Sequence, residues 1–502
     1  MRPKDPPSSM SKPLVTRPAV QTAVKHLLVF GDTDLYPPAI ELRYLADNLD
    51  RLVPTIVEIE KLVISRTATS HAGITRDVFY SGDLRPRIAT QLPTLLAILS
   101  TVHAFSLVRR FDSLWGNTLK ESVFSYRPNL SRPEELFDRD IGWRGFVKKQ
   151  EELVGDFPWK VSIDLAQFYA SVKDHHIERI TACLPLDSQD QKFIHFFFKS
   201  VSGSLHGLPV GGDYSRVIGE LILLEIDKYA TDRGWRYCRF VDDMRIFFSS
   251  QDEARSSIYH LINFVSHLGF QINPEKFHLE QEISPPTRIV NRVLKIPGHR
   301  VQNTFDSFFD PYSELVITKV DELKQVSTAK DLKQLIELEL EKIVPDIRSL
   351  KIYIAALHYS SKGEVENCYP LLIRRAMTAQ YFPTLPKLVR LTIAKKSAMD
   401  PKLVKTLAKQ LITDLVGSYG RLPDSVVGQI CRIISELSDT LDPLSFDFFF
   451  GLLREHSGST FVKREIVNLF RLRTEVANIE VLKMIQKEPV LMSAWDPSSL
   501  LK

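Results

Sequence analysis

The sequence predicts an α+β chain in two parts, a mixed segment followed by an all-α one. Three observations predict it. Runs rich in β-branched and aromatic residues, WKVSIDL (Trp159 to Leu165), WRYCRFV (Trp235 to Val241) and MRIFFS (Met244 to Ser249), read as strands, and such runs stop before about residue 300. After about residue 310, amphipathic helical segments follow one another. Between two of the strands stand the adjacent acids Asp242 and Asp243, with almost no room for a loop. A carboxylate moved out of water costs several kcal/mol unless it is paired. Two of them therefore belong at the tip of a tight β-hairpin, either in water or beside a cation.

Taken in order, residues 1–22 are basic and rich in Pro and Ser, which predicts a flexible tail. Residues 23–305 form the mixed segment. It contains helix-like stretches such as ELRYLADNLDRLVPTIVEIEKLV (Glu41 to Val63), the three strands, and then ARSSIYHLINFVSHLGF (Ala254 to Phe270) with apolar residues at helical spacing. Residues 306–502 carry DLKQLIELELEKIV, IRSLKIYIAALHYS, KLVRLTIAKKS, PKLVKTLAKQLITDLVGSYG and DSVVGQICRIISELSD. Pro345, Pro370, Pro386, Pro401, Pro423 and Pro443 punctuate these helices at starts and turns. No strict repeat period is present, so a helical bundle and a HEAT-like array both fit.

With 502 residues the chain is too long for one core. Its 44% hydrophobic and 25% charged residues exclude large-scale disorder. The net charge of +4 is compatible with nucleic-acid binding, for which a local patch matters more than the total. The four cysteines are scattered without a CxxC or Cys/His cluster, which suggests neither a zinc site nor disulfides and points to a reduced, cytoplasmic setting. No run of 18 apolar residues occurs, so no membrane span is expected.

Three further stretches stand out around the hairpin. KVSIDLAQFYASV (Lys160 to Val172) ends a strand at Asp164; HGLPVGGDYSRVIGELILLEID (His206 to Asp227) is a Gly/Pro loop opening a long helix; LGFQINPEKFHL (Leu268 to Leu279) follows the hairpin. Singly, each has an ordinary explanation: a strand-end cap, a turn without the phosphate-loop signature, a surface loop. Their order is what distinguishes them. It resembles motifs A to D of the reverse transcriptase palm, over about residues 105–280. Phe240 to Asp243 match the aromatic-x-Asp-Asp signature, with Phe in place of the commoner Tyr. Asp164 matches the first catalytic acid, and Tyr169 falls at the aromatic gate. Gly207 to Gly211 and Ser215 match motif B, except that Val210 replaces a frequent glutamine. ESVFSYRPN (Glu121 to Asn129) is similar to a segment that precedes motif A in intron-type enzymes.

The resemblance implies a fingers–palm domain, an RNA-directed DNA polymerase, and a site whose acids are tolerated because cations neutralise them. Nucleotidyl transfer builds charge on the attacking and leaving oxygens, and two Mg²⁺ about 3.5–4 Å apart stabilise both. Mg²⁺ prefers carboxylate oxygens, with Mn²⁺ as its substitute. The implied metal ligands are Asp164, Asp242, Asp243 and the carbonyl of Leu165, with Asp243 in the less direct role. Tyr169, Gly211, Gly212 and the motif D lysine Lys276 are the implied nucleotide-binding residues; Tyr169 excludes a 2′-hydroxyl and Lys276 protonates pyrophosphate. Arg85 and Arg87 are expected to reach the triphosphate, and Arg127 the nucleic-acid backbone. His175 and His176 read as surface residues of a helix.

No carboxylate cluster of an RNase H domain follows the palm, and no maturase or His/Cys nuclease signature is apparent. The departure at Val210 and the long helical tail look more like the bacterial abortive-infection and "unknown group" reverse transcriptases of antiphage defence. That likeness implies helices in place of a thumb, and homo-oligomers. It also implies DNA synthesis from dNTPs that is protein-primed, untemplated or templated by RNA, including a dedicated noncoding RNA. A non-catalytic palm-fold scaffold and an RNA-dependent RNA polymerase are the alternatives; the three acids argue against the first and Tyr169 against the second.

Overall fold

The computed structural model describes residues 14–281 except 34, 66–73, 82–84, 130, 133, 139–140 and 203–206, the pairs 295–296 and 299–300, and residues 332–471 except 439–440 and 456–458. The first helix, α1 (Arg17–Phe30), starts inside the stretch expected to be a tail. The Thr16 hydroxyl accepts the Ala19 N–H, a proline sits in the first turn, and Val20, Ala23, Val24 and Leu27 bury one face. The single helix expected over Glu41 to Val63 is two, α2 (Glu41–Asp47) and α3 (Leu49–Ile64). They part at Asn48, whose side-chain amide donates to the Tyr44 carbonyl at 2.8 Å and so takes the acceptor a continuous helix would use. Next comes an antiparallel hairpin of β1 (Thr75–Ser81) and β2 (Arg85–Gln91), whose charges and proline hid its strand pattern.

Helices α4 (Thr94–Val108), α5 (Phe111–Lys120) and α6 (Gly142–Val154) lead to the first palm strand, β3 (Trp159–Asp164). After it come α7 (Phe168–Ser171), α8 (Asp174–Cys183), α9 (Ser188–Phe197) and the long α10 (Asp213–Asp232). The hairpin β4 (Arg236–Phe240) and β5 (Asp243–Phe248) follows, then α11 (Gln251–His267) and β6 (His278–Gln281). The sheet is antiparallel throughout, in the order β4-β5-β3-β6. Successive side chains alternate faces. Val161, Ile163, Met244, Ile246 and Phe248 therefore join a core shared with α1, α4, α8 and α10. The opposite face carries Cys238, Phe240 and Phe247, which pack under Phe146 of α6. Residues 295–296 and 299–300 form a short antiparallel pair, β7 and β8.

The described part of the C-terminal region is helical as expected: α12 (Leu332–Glu341), α13 (Ile347–Ala356), α14 (Lys362–Arg375), α15 (Leu385–Lys395), α16 (Pro401–Ser418), α17 (Asp424–Leu437), α18 (Pro443–Glu455) and α19 (Thr460–Arg471). Pro370 does not end a helix but sits inside α14, whose Cys368, Tyr369, Leu372 and Ile373 are held by burial. From α12 to α17 and again at α19, each helix packs on the next but one, the mark of stacked helical pairs rather than a simple bundle. These helices follow the palm where a thumb would, yet their contacts run back to β1 and the N-terminal segment. Among the described residues no helix is long and apolar enough to cross a membrane.

Candidate active site

In the β3–β5 register Asp164 lies directly opposite Asp243. Pairing of Phe240 with Asp243 leaves Val241 and Asp242 as a two-residue turn. Val241 has φ +54°, an unfavourable conformation for a β-branched residue. The Val241 carbonyl accepts a hydrogen bond from Arg239 Nη1 at 2.9 Å. Arg239 itself has no exposed surface and holds Glu220 at 2.8 Å and Asp227 at 2.7 Å, both on α10. The strained turn is thus anchored from behind by a buried ion network, and Phe240 packs edge-on against Trp143 of α6 at 5.3 Å.

Asp242 Oδ1 is buried without a hydrogen-bond partner in the described structure. Burial, then the charge of Asp164 and more weakly that of Asp243, pushes the Asp242 carboxyl up to about 7. Asp164 is differently placed: Lys276 Nζ donates to Oδ1 at 3.0 Å and the Asn273 amide to Oδ2 at 3.3 Å. The Asn273 N–H also donates to the Asp164 carbonyl at 2.8 Å, fixing the loop that carries Lys276. Asp243 pairs with Arg245, two residues along β5. Leu165 is buried and bridges to Ile272.

Among the described residues no group of three or more His, Cys, Asp or Glu is drawn together as a metal cluster. The donors nonetheless suit a divalent cation: a buried carboxylate oxygen with no partner faces a second carboxylate that already accepts a cationic ammonium.

Beside Asp242 opens a cavity of about 480 Å³. It brings together Gln167 to Ala170 after β3, Leu208 to Gly211 before α10, and Arg76 and Arg87 of the β1–β2 hairpin. Tyr169 lines it; burial, with Tyr126 beside it, keeps the phenol protonated. Gly207 permits this assembly: at φ +108° a Cβ would lie 2.4 Å from the Tyr169 carbonyl, which accepts the Leu208 N–H. Gly211, at φ +100°, makes room instead for Thr33, whose Oγ1 would stand 2.6 Å from a Cβ. Gly212 forms a β-bridge with Thr33.

Of the remaining expected residues, Arg85 opens β2, but its side chain lies outside the described residues. Arg127 Nε donates to the Val123 carbonyl at 2.8 Å, and its guanidinium lies over Phe124. His176 is buried rather than exposed: Nδ1 accepts the Lys173 N–H and Nε2 donates to the Leu268 carbonyl. Arg76, Arg216, Tyr126, Asn273 and Arg239 belong to the site or its support and were not expected. For Arg239 a signal existed, an arginine inside an apolar strand with Glu220 and Asp227 two helical turns apart upstream.

An antiparallel palm sheet with opposed acids beside a basic, glycine-bordered cavity defines a nucleotidyltransferase of the polymerase kind. Residues 84–301 match the family model described as reverse transcriptase (RNA-dependent DNA polymerase). The chain thus carries a reverse transcriptase domain followed by a helical region, and the corresponding enzyme class is RNA-directed DNA polymerase. No curated protein matches the sequence. Among solved structures, telomerase from Candida albicans in complex with a fragment of telomeric RNA is similar over 77% of this chain and 68% of that one, with 12% identity and a TM-score of 0.30. A likeness that loose bears on neither substrate nor partner.

Proposed function

We propose that the chain extends DNA on an RNA template by metal-assisted nucleotidyl transfer, with the incoming dNTP in the 480 Å³ cavity. The observation that carries this reading is the cavity itself, which gathers three separated backbone segments and two fingers arginines around Asp242. Asp164, Asp242 and the Leu165 carbonyl would hold Mg²⁺, and Asp243 would act on the site's charge from its pair with Arg245. When bound, Mg²⁺ supplies Lewis-acid stabilisation of the attacking and leaving oxygens. Lys276 then leaves Asp164 and offers its proton towards pyrophosphate. Arg76 and Arg87 face the triphosphate from the fingers, and the apolar side of Leu35, Ile88 and Val210 receives the base.

Tyr169 closes the sugar side. Replacing it with Ala is expected to lower the preference for dNTP over rNTP about 100-fold, since only a steric wall is removed. Competing dNTP and rNTP incorporation measures this; an unchanged ratio removes the gate assignment. Polymerisation by purified protein with and without RNase pretreatment tests the template, and label migrating with the protein would identify protein priming. The setting we propose is bacterial antiphage defence, supported by Val210 in motif B and the stacked helices after the palm. Phage plaque counts with wild type and a catalytic-acid variant decide it; equal counts would refute a defence role that depends on synthesis.

A further inference from the structure

We propose that the helical region sets nucleotide affinity, and that Arg390 is the positioning residue through which it does so. This rests on the nucleotide reading of the cavity. Arg390, on α15, reaches four carbonyls of one N-terminal stretch: Val29 at 3.1 Å, Phe30 at 2.9 Å, Thr33 at 3.4 Å and Tyr36 at 3.5 Å. Two of these close α1, where a cation also suits the helix dipole.

The stretch that Arg390 holds meets two walls of the cavity, the Gly211–Gly212 end of the motif B loop and the β1–β2 hairpin. Thr33 bridges Gly212 and fills the space that Gly211 leaves. Leu35 lines the cavity directly. The Tyr36 hydroxyl donates to Asp77 of β1 at 2.9 Å, and Asp32 accepts the Leu92 N–H just after β2 at 2.9 Å. Leu35 and Tyr36 also share an apolar cluster with Phe79, Ala89 and Phe461 of α19. Two further bonds tie α17 of the helical region to the same side: Ser425 Oγ to the Val78 carbonyl at 2.6 Å, and Arg432 to the Pro38 carbonyl at 3.3 Å.

Fingers, motif B loop and helical region therefore meet on the end of α1 and the described residues just after it, Val29 to Thr33 with Leu35 and Tyr36, and Arg390 supplies the cross-links. Neither Arg390 nor Thr33 lines the cavity or touches the acids. Loosening them blurs the nucleotide pocket without altering the reacting groups, so KM should move and kcat should not.

The test is steady-state dNTP incorporation by the full chain, with unfolding followed in parallel. Arg390→Ala should raise the dNTP KM about tenfold with kcat within about twofold, and Arg390→Lys, which keeps charge but loses the planar fork, should fall between. Thr33→Ala should raise KM as well, and the double variant should show less than the product of the two effects, because both act through one segment. An unchanged KM in Arg390→Ala, a fall in kcat at constant KM, or independent effects in the double variant would overturn the proposal. Should Arg390→Ala not fold, a wild-type KM in Arg390→Lys overturns it and a raised one supports it. Wild-type protein that incorporates no dNTP would instead refute the nucleotide reading itself.

Discussion

Asp242→Asn is expected to lower dNTP incorporation at least about 1,000-fold while stabilising the fold above neutral pH. Loss of activity follows from exchanging the carboxylate that holds the partnerless oxygen for a neutral amide, a far weaker ligand for a divalent cation. The gain in stability has an electrostatic origin. Burial first, and Asp164 second, push the Asp242 carboxyl from 3.8 to about 7. An acid whose pKa rises on folding favours the folded state in its protonated form. That contribution is complete below about 3.8 and is lost as the pH climbs through about 7. At pH 8 the wild type holds an unwanted charge, which costs about 2 kcal/mol once partial exposure of the residue is allowed for. Asparagine carries no such charge. Thermal melts without added metal should show the variant more stable at pH 8, with the difference closing towards pH 4. A variant destabilised at pH 8 would show that the carboxylate has an anchoring partner.

Arg239→Leu should have the largest effect on stability, a loss of about 3–5 kcal/mol. Its side chain is sealed from water with Glu220 and Asp227, and the Tyr237 hydroxyl also donates to Asp227 at 2.8 Å. Removing the guanidinium alone strands two buried carboxylates. Replacing all three by leucine should restore most of the stability, since an apolar cluster of that size needs no counter-charge. Activity should not return with it. The Val241 carbonyl would still lack its donor, so the turn at φ +54° would lose the bond that aims Asp242. Denaturant unfolding and incorporation per folded molecule, measured on both variants, separate these effects. Activity recovering in parallel with stability would mean that Arg239 serves the fold alone.

The palm was legible because its signals are local. Runs rich in β-branched and aromatic residues marked β3, β4 and β5 within a residue of their bounds, and adjacent acids forced the turn between β4 and β5. The order of motifs then linked Asp164 to Asp242 and Tyr169 to the Gly207 loop. What stayed hidden depends on partners distant in the chain. The β1–β2 hairpin groups its charges and apolar residues, Arg76 and Asp77 before Val78 to Tyr80, and carries Pro86, so no strand pattern stands out in the sequence, and Phe461 and Tyr36 cover its Phe79–Ala89 face only in the fold. Asn48 breaks a helix through a side-chain bond that helical periodicity does not register. Pro370 marks a helix end by local rules, and only tertiary burial keeps α14 continuous around it. Thr33 had no motif at all; its importance exists only because Gly211 leaves it space.

The stacking of alternate helices from α12 to α17, and of α17 on α19, has a consequence for how the helical region can change length. Contacts with the fingers and N-terminal segment come from α15 through Arg390, from α17 through Ser425 and Arg432, and from α19 through Phe461. These are alternate helices, so they form one layer while their sequence neighbours form the other. The array therefore has parity. Adding or removing a pair before α15 would preserve which layer meets the fingers, whereas a single helix would turn the outer, solvent-adapted layer inward. Growth of this region is expected in steps of two.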